Sequence, residues 1–171
     1  MIKKIYILLI LFLIVLLPTS ILKIANSPTE DNKPSFSINI LGERPYGNLS
    51  IKKLNLNEDF YSIDSSQNTV EKHVTIIKEA NFPNLLVLAA HSGEGNIAYF
   101  ENLDNLKVND EVIISHNNKK YHYYVKEIWE EKKDGYINLN RDTNNQLVLT
   151  TCSPNHNGYQ LVINCIEKES N

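Results

Sequence analysis

Positive charge is scarce in this chain. Its 17 lysines and arginines face 20 aspartates and glutamates, and the formal charge is −3. No global basic field therefore points to nucleic acid as a partner. Arginine is rarer still, with Arg44 and Arg141 as the two examples. Cysteine is limited to Cys152 and Cys165, which allows one disulfide at most. No internal repeat at a fixed period is present, and no low-complexity tract beyond one short polar stretch. Long hydrophobic runs are absent too, with a single exception at the N-terminus. The 171 residues amount to about one domain, enough to bury a core without covalent staples.

That exception runs from Ile5 to Leu22, and Lys3 and Lys4 precede it. Positive charge on the short N-terminal side holds that end in the cytoplasm, so the remainder is expected outside. The run is apolar on all faces, which argues against a core helix. Its length is at the lower limit for a spanning helix. A retained membrane anchor and a cleaved signal segment both fit residues 1–25. Residues 26–35 (NSPTEDNKPS) are polar, carry two prolines and read as a linker. Residues 36–171 are then the folded domain.

The domain reads as mainly β. Leu85 to Ala90 is a short apolar run of a length that suits a buried strand. Ser50 to Leu56 alternates weakly. Glu111–Ser115 and Lys120–Ile128 flank an Asn-Asn-Lys turn, and Leu147–Cys152 and Tyr159–Ile166 flank a second turn. Two segments carry helical spacing: Val70, Val74 and Ile77, and then Ile97, Phe100 and Leu103. Closely spaced strands with one or two short helices predict a closed or nearly closed β-barrel.

Two residues carry chemistry. Cys152 ends the apolar strand that starts at Leu147 and opens a polar turn. His91 ends the strand from Leu85 and precedes Ser92-Gly93. Each alone is usually a packing or rim residue. Neighbouring strands would bring both side chains to one rim, and a thiolate beside an imidazolium is an activated nucleophile.

Val148-Leu149-Thr150-Thr151-Cys152 resembles the Thr-Leu-x-Thr-Cys signature of sortases, matching at Leu149, Thr151 and Cys152. Ala89-Ala90-His91-Ser92 resembles the strand-end histidine of the same family. The segments Ile97–Leu103, Val108–Val112 and Lys120–Val125 resemble the family's short segment, turn and strand C-terminal to that histidine, so the likeness runs from about Leu49 to Glu167. This resemblance implies an eight-stranded sortase β-barrel and a cysteine transpeptidase. Cys152 would attack a C-terminal sorting motif of a surface protein and form a thioacyl-enzyme, and His91 would protonate the leaving amine. An amine acceptor from a cell-wall precursor or a pilin would resolve the thioester. No cofactor is implied.

One position departs from the family. Sortases carry an arginine on the strand after the cysteine, and Gln160 stands there instead. Its amide can donate hydrogen bonds but carries no charge. Gln160 is thus the expected oxyanion donor, and Arg141 is a second candidate reaching in from a loop. The departure keeps open a catalytically impaired peptide-binding relative, and a cysteine, a histidine and a thioacyl intermediate equally suit an exported cysteine peptidase.

The second hairpin pairs Cys152 with a residue close to Gln160, which leaves Cys165 on the order of 16 Å away. A disulfide requires Cα atoms within about 7 Å, so both thiols are expected free and Cys165 a core residue. Among lesser features, His156 is an alternative base or a solvated turn residue. Zinc at Cys152 and His156 lacks further ligands. The oxygens of Glu127, Glu130, Glu131 and Asp134 would suit calcium, as in one sortase class. The interleaved Lys132 and Lys133 read as an ordinary solvated loop. Tyr121, Tyr123 and Tyr124 read as barrel packing.

Overall fold

The computed structural model describes residues 43–140 and 144–168. The expected anchor, the linker, the first residues of the domain and Arg141 lie outside that range. Eight strands form one curled sheet, a half-barrel: β1 Gly47–Ile51, β2 Leu56–Phe60, β3 Thr75–Ala80, β4 Leu85–Ala89, β5 Glu111–His116, β6 Lys119–Lys132, β7 Gln146–Cys152 and β8 Tyr159–Glu167. Their spatial order is β2-β1-β5-β6-β8-β7-β4-β3. All neighbours are antiparallel except β4 and β7, which run parallel. The edge strand β2 reaches the other edge through a bridge between Phe60 and Val74, just before β3.

The interior is filled by Leu49, Ile51, Phe60, Leu86, Leu88, Val112, Ile114, Tyr123, Leu147, Leu149 and Ile163, among others. A second, smaller cluster lies on the outer face. There Leu85, Val87, Val148 and Val162 are covered by Trp129, Ile137 and Leu139. Side chains alternate along each strand, so β4 and β7 are buried on both faces. That double burial explains their continuous apolar sequences, as parallel strand pairs require.

The structure corrects three local expectations. The spacing of Val70, Val74 and Ile77 is not helical: Thr75–Ala80 is a strand paired with β4. Val74-Thr75-Ile76-Ile77 is a β-branched run, and such residues pack better on a pleated surface than in a helix. Ile97 to Leu103 forms turns, followed by one 3₁₀ turn at Leu103–Asn105. Phe100 and Leu103 are buried, whereas Ile97 is 42% exposed. Ser50–Leu56 is not one strand either. A 3₁₀ turn at Lys52–Leu54 and a left-handed Asn55 (φ 52°) separate β1 from β2. Asparagine tolerates that conformation because its short polar side chain can bond locally.

The first expected hairpin is present. Asn117 and Asn118 both have positive φ (49° and 60°) between β5 and β6, as a two-residue turn matched to strand twist needs. Edge strand β3 is covered in part by a side chain. Asn68 accepts from the Ile76 N–H (2.7 Å) and donates to the Ile76 carbonyl (2.9 Å), replacing a missing strand neighbour.

Candidate active site

The parallel pairing of β4 with β7 sets the site. Ala89 lies opposite Thr150, so continuing the register places His91 opposite Cys152. Alternation then decides the face. Leu147 and Leu149 point into the barrel core while Val148 joins the outer cluster, so Cys152 falls on the outer face. Along β4, Leu86 and Leu88 point inward and Val87 outward, which puts His91 on that same outer face. Two hydrogen bonds fix the strand ends to each other. The Thr151 hydroxyl donates to the Ala90 carbonyl (2.8 Å), and the Ser92 hydroxyl donates to the Cys152 carbonyl (3.0 Å). Cys152 and His91 therefore lie at one end of the β4–β7 pair, on the outer face.

Both residues line one cleft of about 430 Å³, together with Thr69, Ile77, Lys133, Thr150 and Gln160 among others. Cys152 is exposed and His91 half-buried. Cys165 lies opposite Leu147, deep in the core, and burial pushes its thiol up from the ordinary range. The two cysteines are free, as the hairpin geometry predicts.

Gln160 sits directly opposite Cys152 in the hairpin register. Its amide nitrogen points elsewhere, donating to the Glu131 carboxylate (3.2 Å) and to the Tyr136 carbonyl (2.6 Å). Both amide hydrogens are thereby engaged, and neither is directed at the sulfur. The group that does reach the thiol is Lys133, whose Nζ lies 3.3 Å from Cys152 Sγ. In the sequence, Lys133 reads as part of a solvated loop. Only the missing family arginine hinted that a cation must come from elsewhere.

The loop after Cys152 is tied down by Glu130. Its carboxylate accepts from the Ser153 hydroxyl (2.8 Å), from Asn155 Nδ2 (3.3 Å) and from His156 Nδ1. His156 is therefore paired with Glu130, and its imidazole serves this clamp. Glu131 holds Asn138, and Asp134 accepts from the Tyr136 N–H. Glu130 and Glu131 thus bond across to the loop after β7 and to β8, and Asp134 bonds within its own loop. Among the described residues, no three histidine, cysteine or carboxylate groups converge as a metal site. Of the tyrosines, Tyr123 is fully buried and Tyr121 packs edge-on against Phe82.

The Ser153, His156 and Asn155 hydrogen bonds hold the Glu130 carboxyl below its ordinary value of 4.5. A depressed carboxyl stabilises the fold above its unfolded value, and that contribution disappears as pH falls through the folded value. We expect the 153–158 loop to loosen as pH falls below the ordinary carboxylate range. Hydrogen exchange at the Asn155 and His156 amides, which both donate to Ser153 Oγ, should accelerate there. A Glu130→Gln variant should show the faster exchange already at neutral pH.

Comparisons with known proteins agree with this architecture. A family model described as the sortase domain matches residues 49–166. Among solved structures, a lid mutant of sortase A from Corynebacterium diphtheriae superposes with a TM-score of 0.65 at 23% identity, over 75% of this chain and 73% of that one. Sortase C1 from Streptococcus agalactiae gives 0.65 at 24% identity, over 77% and 72%. Sortase C-1 from Actinomyces oris gives 0.63 at 21% identity, over 75% and 76%. Identities this low show a shared fold and no more. No curated protein sequence matches the chain. With the family model covering more than half of its length, and with the cysteine signature on the expected strand, this chain belongs to the sortase family.

Proposed function

We propose that this protein is an extracellular cysteine transpeptidase, anchored by its N-terminal apolar run, with Cys152 as nucleophile and His91 as acid–base. The observation that carries the reading is the β4–β7 register, which brings an exposed thiol and an imidazole together in one cleft. A second groove of about 390 Å³ shares Ile77 with that cleft and is lined by Leu85, Val87, Tyr136, Ile137 and Leu139. An extended, partly apolar peptide of the sorting-motif kind suits such a surface.

The chemistry follows from the two groups. His91 takes the thiol proton, and the thiolate attacks the scissile carbonyl carbon. The carbonyl π electrons move onto oxygen, giving a tetrahedral oxyanion. Its collapse breaks the C–N bond, and the leaving amine takes the proton from His91. An incoming amine then loses a proton to His91 and attacks the thioester, which releases Cys152. Partner proteins with a C-terminal sorting motif, and an amine from cell-wall precursor or pilin, are the substrates this reading requires.

The test is direct. The soluble domain, incubated with a panel of Leu-Pro-x-Thr-Gly-type peptides, should accumulate a thioacyl adduct that maps to Cys152 by mass spectrometry. Adding an amine should convert adduct to ligated product. An exported peptidase would give hydrolysis that the amine does not divert. No adduct across the panel would leave the impaired-relative reading standing.

A further inference from the structure

We infer that Lys133 is a catalytic residue of this site, supplying from the β6–β7 loop the positive charge that Gln160 does not carry on β8. The inference rests on the transpeptidase reading for its kinetic consequence, but its geometric basis is independent.

Lys133 Nζ donates to Cys152 Sγ at 3.3 Å. Among the described residues, no carboxylate pairs with Lys133. Among the described residues its ammonium is therefore not neutralised by an ion pair, although Glu130, Glu131 and Asp134 surround it in sequence. Those three acids are occupied by Ser153 and His156, by Gln160 and Asn138, and by the Tyr136 amide.

The loop backbone is built to hold that position. The Lys133 N–H donates to the Gly158 carbonyl (2.9 Å), and the Asp134 N–H to the Lys132 carbonyl (3.0 Å). Gly135 turns the chain at φ +93°, where a β-carbon would be strained. Gln160 holds Glu131 on one side of Lys133 and Tyr136 on the other. The polar side chain facing the thiol across the hairpin thus secures the loop from which the cation comes.

An ammonium carries three rotatable donors on a flexible stem. One donor already reaches the sulfur. When the thiolate adds to a carbonyl carbon, the negative charge moves from sulfur to an oxygen two bonds away. A second donor of the same ammonium can meet that oxygen without moving the loop. The cation thus stabilises charge on sulfur before attack and on oxygen after it. Removing one oxyanion donor typically lowers kcat by about 10²–10³-fold. Lys133 is exposed, so solvent weakens its field and the expected loss lies near the lower figure.

The experiment uses Lys133→Met and Lys133→Arg in the soluble domain, with two readouts. The first is kcat and KM for thioacyl formation. Lys133→Met should lose about 10²-fold in kcat with KM within about threefold, and Lys133→Arg should retain most of the rate. The second needs no substrate: alkylation of Cys152 by anionic iodoacetate relative to neutral iodoacetamide. The ratio cancels the thiol's intrinsic reactivity and reports local charge. It should fall about fivefold in Lys133→Met and persist in Lys133→Arg. Wild-type kcat in Lys133→Met, or an unchanged alkylation ratio, overturns the assignment. Absence of any adduct in the wild-type protein would sink the transpeptidase reading instead, and the alkylation ratio would still decide the Lys133 contact.

Discussion

Replacing His91 with glutamine is expected to lower kcat for transpeptidation by about 10²–10⁴-fold, the usual worth of a positioned general acid–base group. Glutamine is polar and similar in reach, so the half-buried strand end should keep its packing. The Ser92–Cys152 and Thr151–Ala90 bonds use other side chains and should hold β4 and β7 in register. What disappears is the proton: the leaving amine departs unprotonated, and the incoming amine has no base. Loss should therefore fall on both half-reactions, with KM for the peptide nearly unchanged. Single-turnover adduct formation and amine-dependent resolution, measured separately, check this. A variant retaining wild-type rates in both would remove His91 from the mechanism. Cys152→Ala, as the reference, should form no adduct.

Replacing Phe60 with alanine is expected to cost about 3–5 kcal/mol of folding stability. Phe60 is fully buried at the end of edge strand β2, where the sheet meets its other edge through Val74. Its ring also fills the space above Gly47, where an added β-carbon would sit 2.5 Å from Phe60 Cζ. Tyr46 packs beside it, with ring centroids 6.1 Å apart. Truncation leaves a void that β1, paired on both sides, cannot collapse to fill. The two edges then lose the side chain that seals them. Urea unfolding should show a lower midpoint with a similar slope. A loss below about 1 kcal/mol would mean that the edges are held by other contacts. β4 and β7, which position His91 and Cys152, lie one and two strands in from β3 at this seam. The Ser92–Cys152 and Thr151–Ala90 bonds should keep them in register, so peptide turnover at permissive temperature should persist.

The β4 and β7 strands were legible because they are buried on both faces. Their apolar runs stop at His91 and Cys152, and the strand ends followed from that. The β7–β8 hairpin was legible from its turn residues, and with it the pairing of Cys152 with Gln160 and the isolation of Cys165. The Val74–Ile77 segment misled, because three apolar residues at helical spacing outweighed a β-branched run. The bridge at Phe60 left no local signal, since a bridge between the two edges of a sheet joins residues whose sequence neighbours are unremarkable.

By itself the sequence determined a β-domain of the sortase type, a thiol and an imidazole each at a strand end, and a glutamine where an arginine was expected. Those features are local, set by burial period, turn chemistry and a short signature. Tertiary structure alone decided where charge is placed. The Gln160 amide turns to Glu131 and Tyr136, and an ammonium from a different loop reaches the sulfur. The direction of a polar side chain depends on which partners the fold presents around it. In the run Glu130-Glu131-Lys132-Lys133-Asp134, only the folded geometry separates the one cation at the thiol from its solvated neighbours.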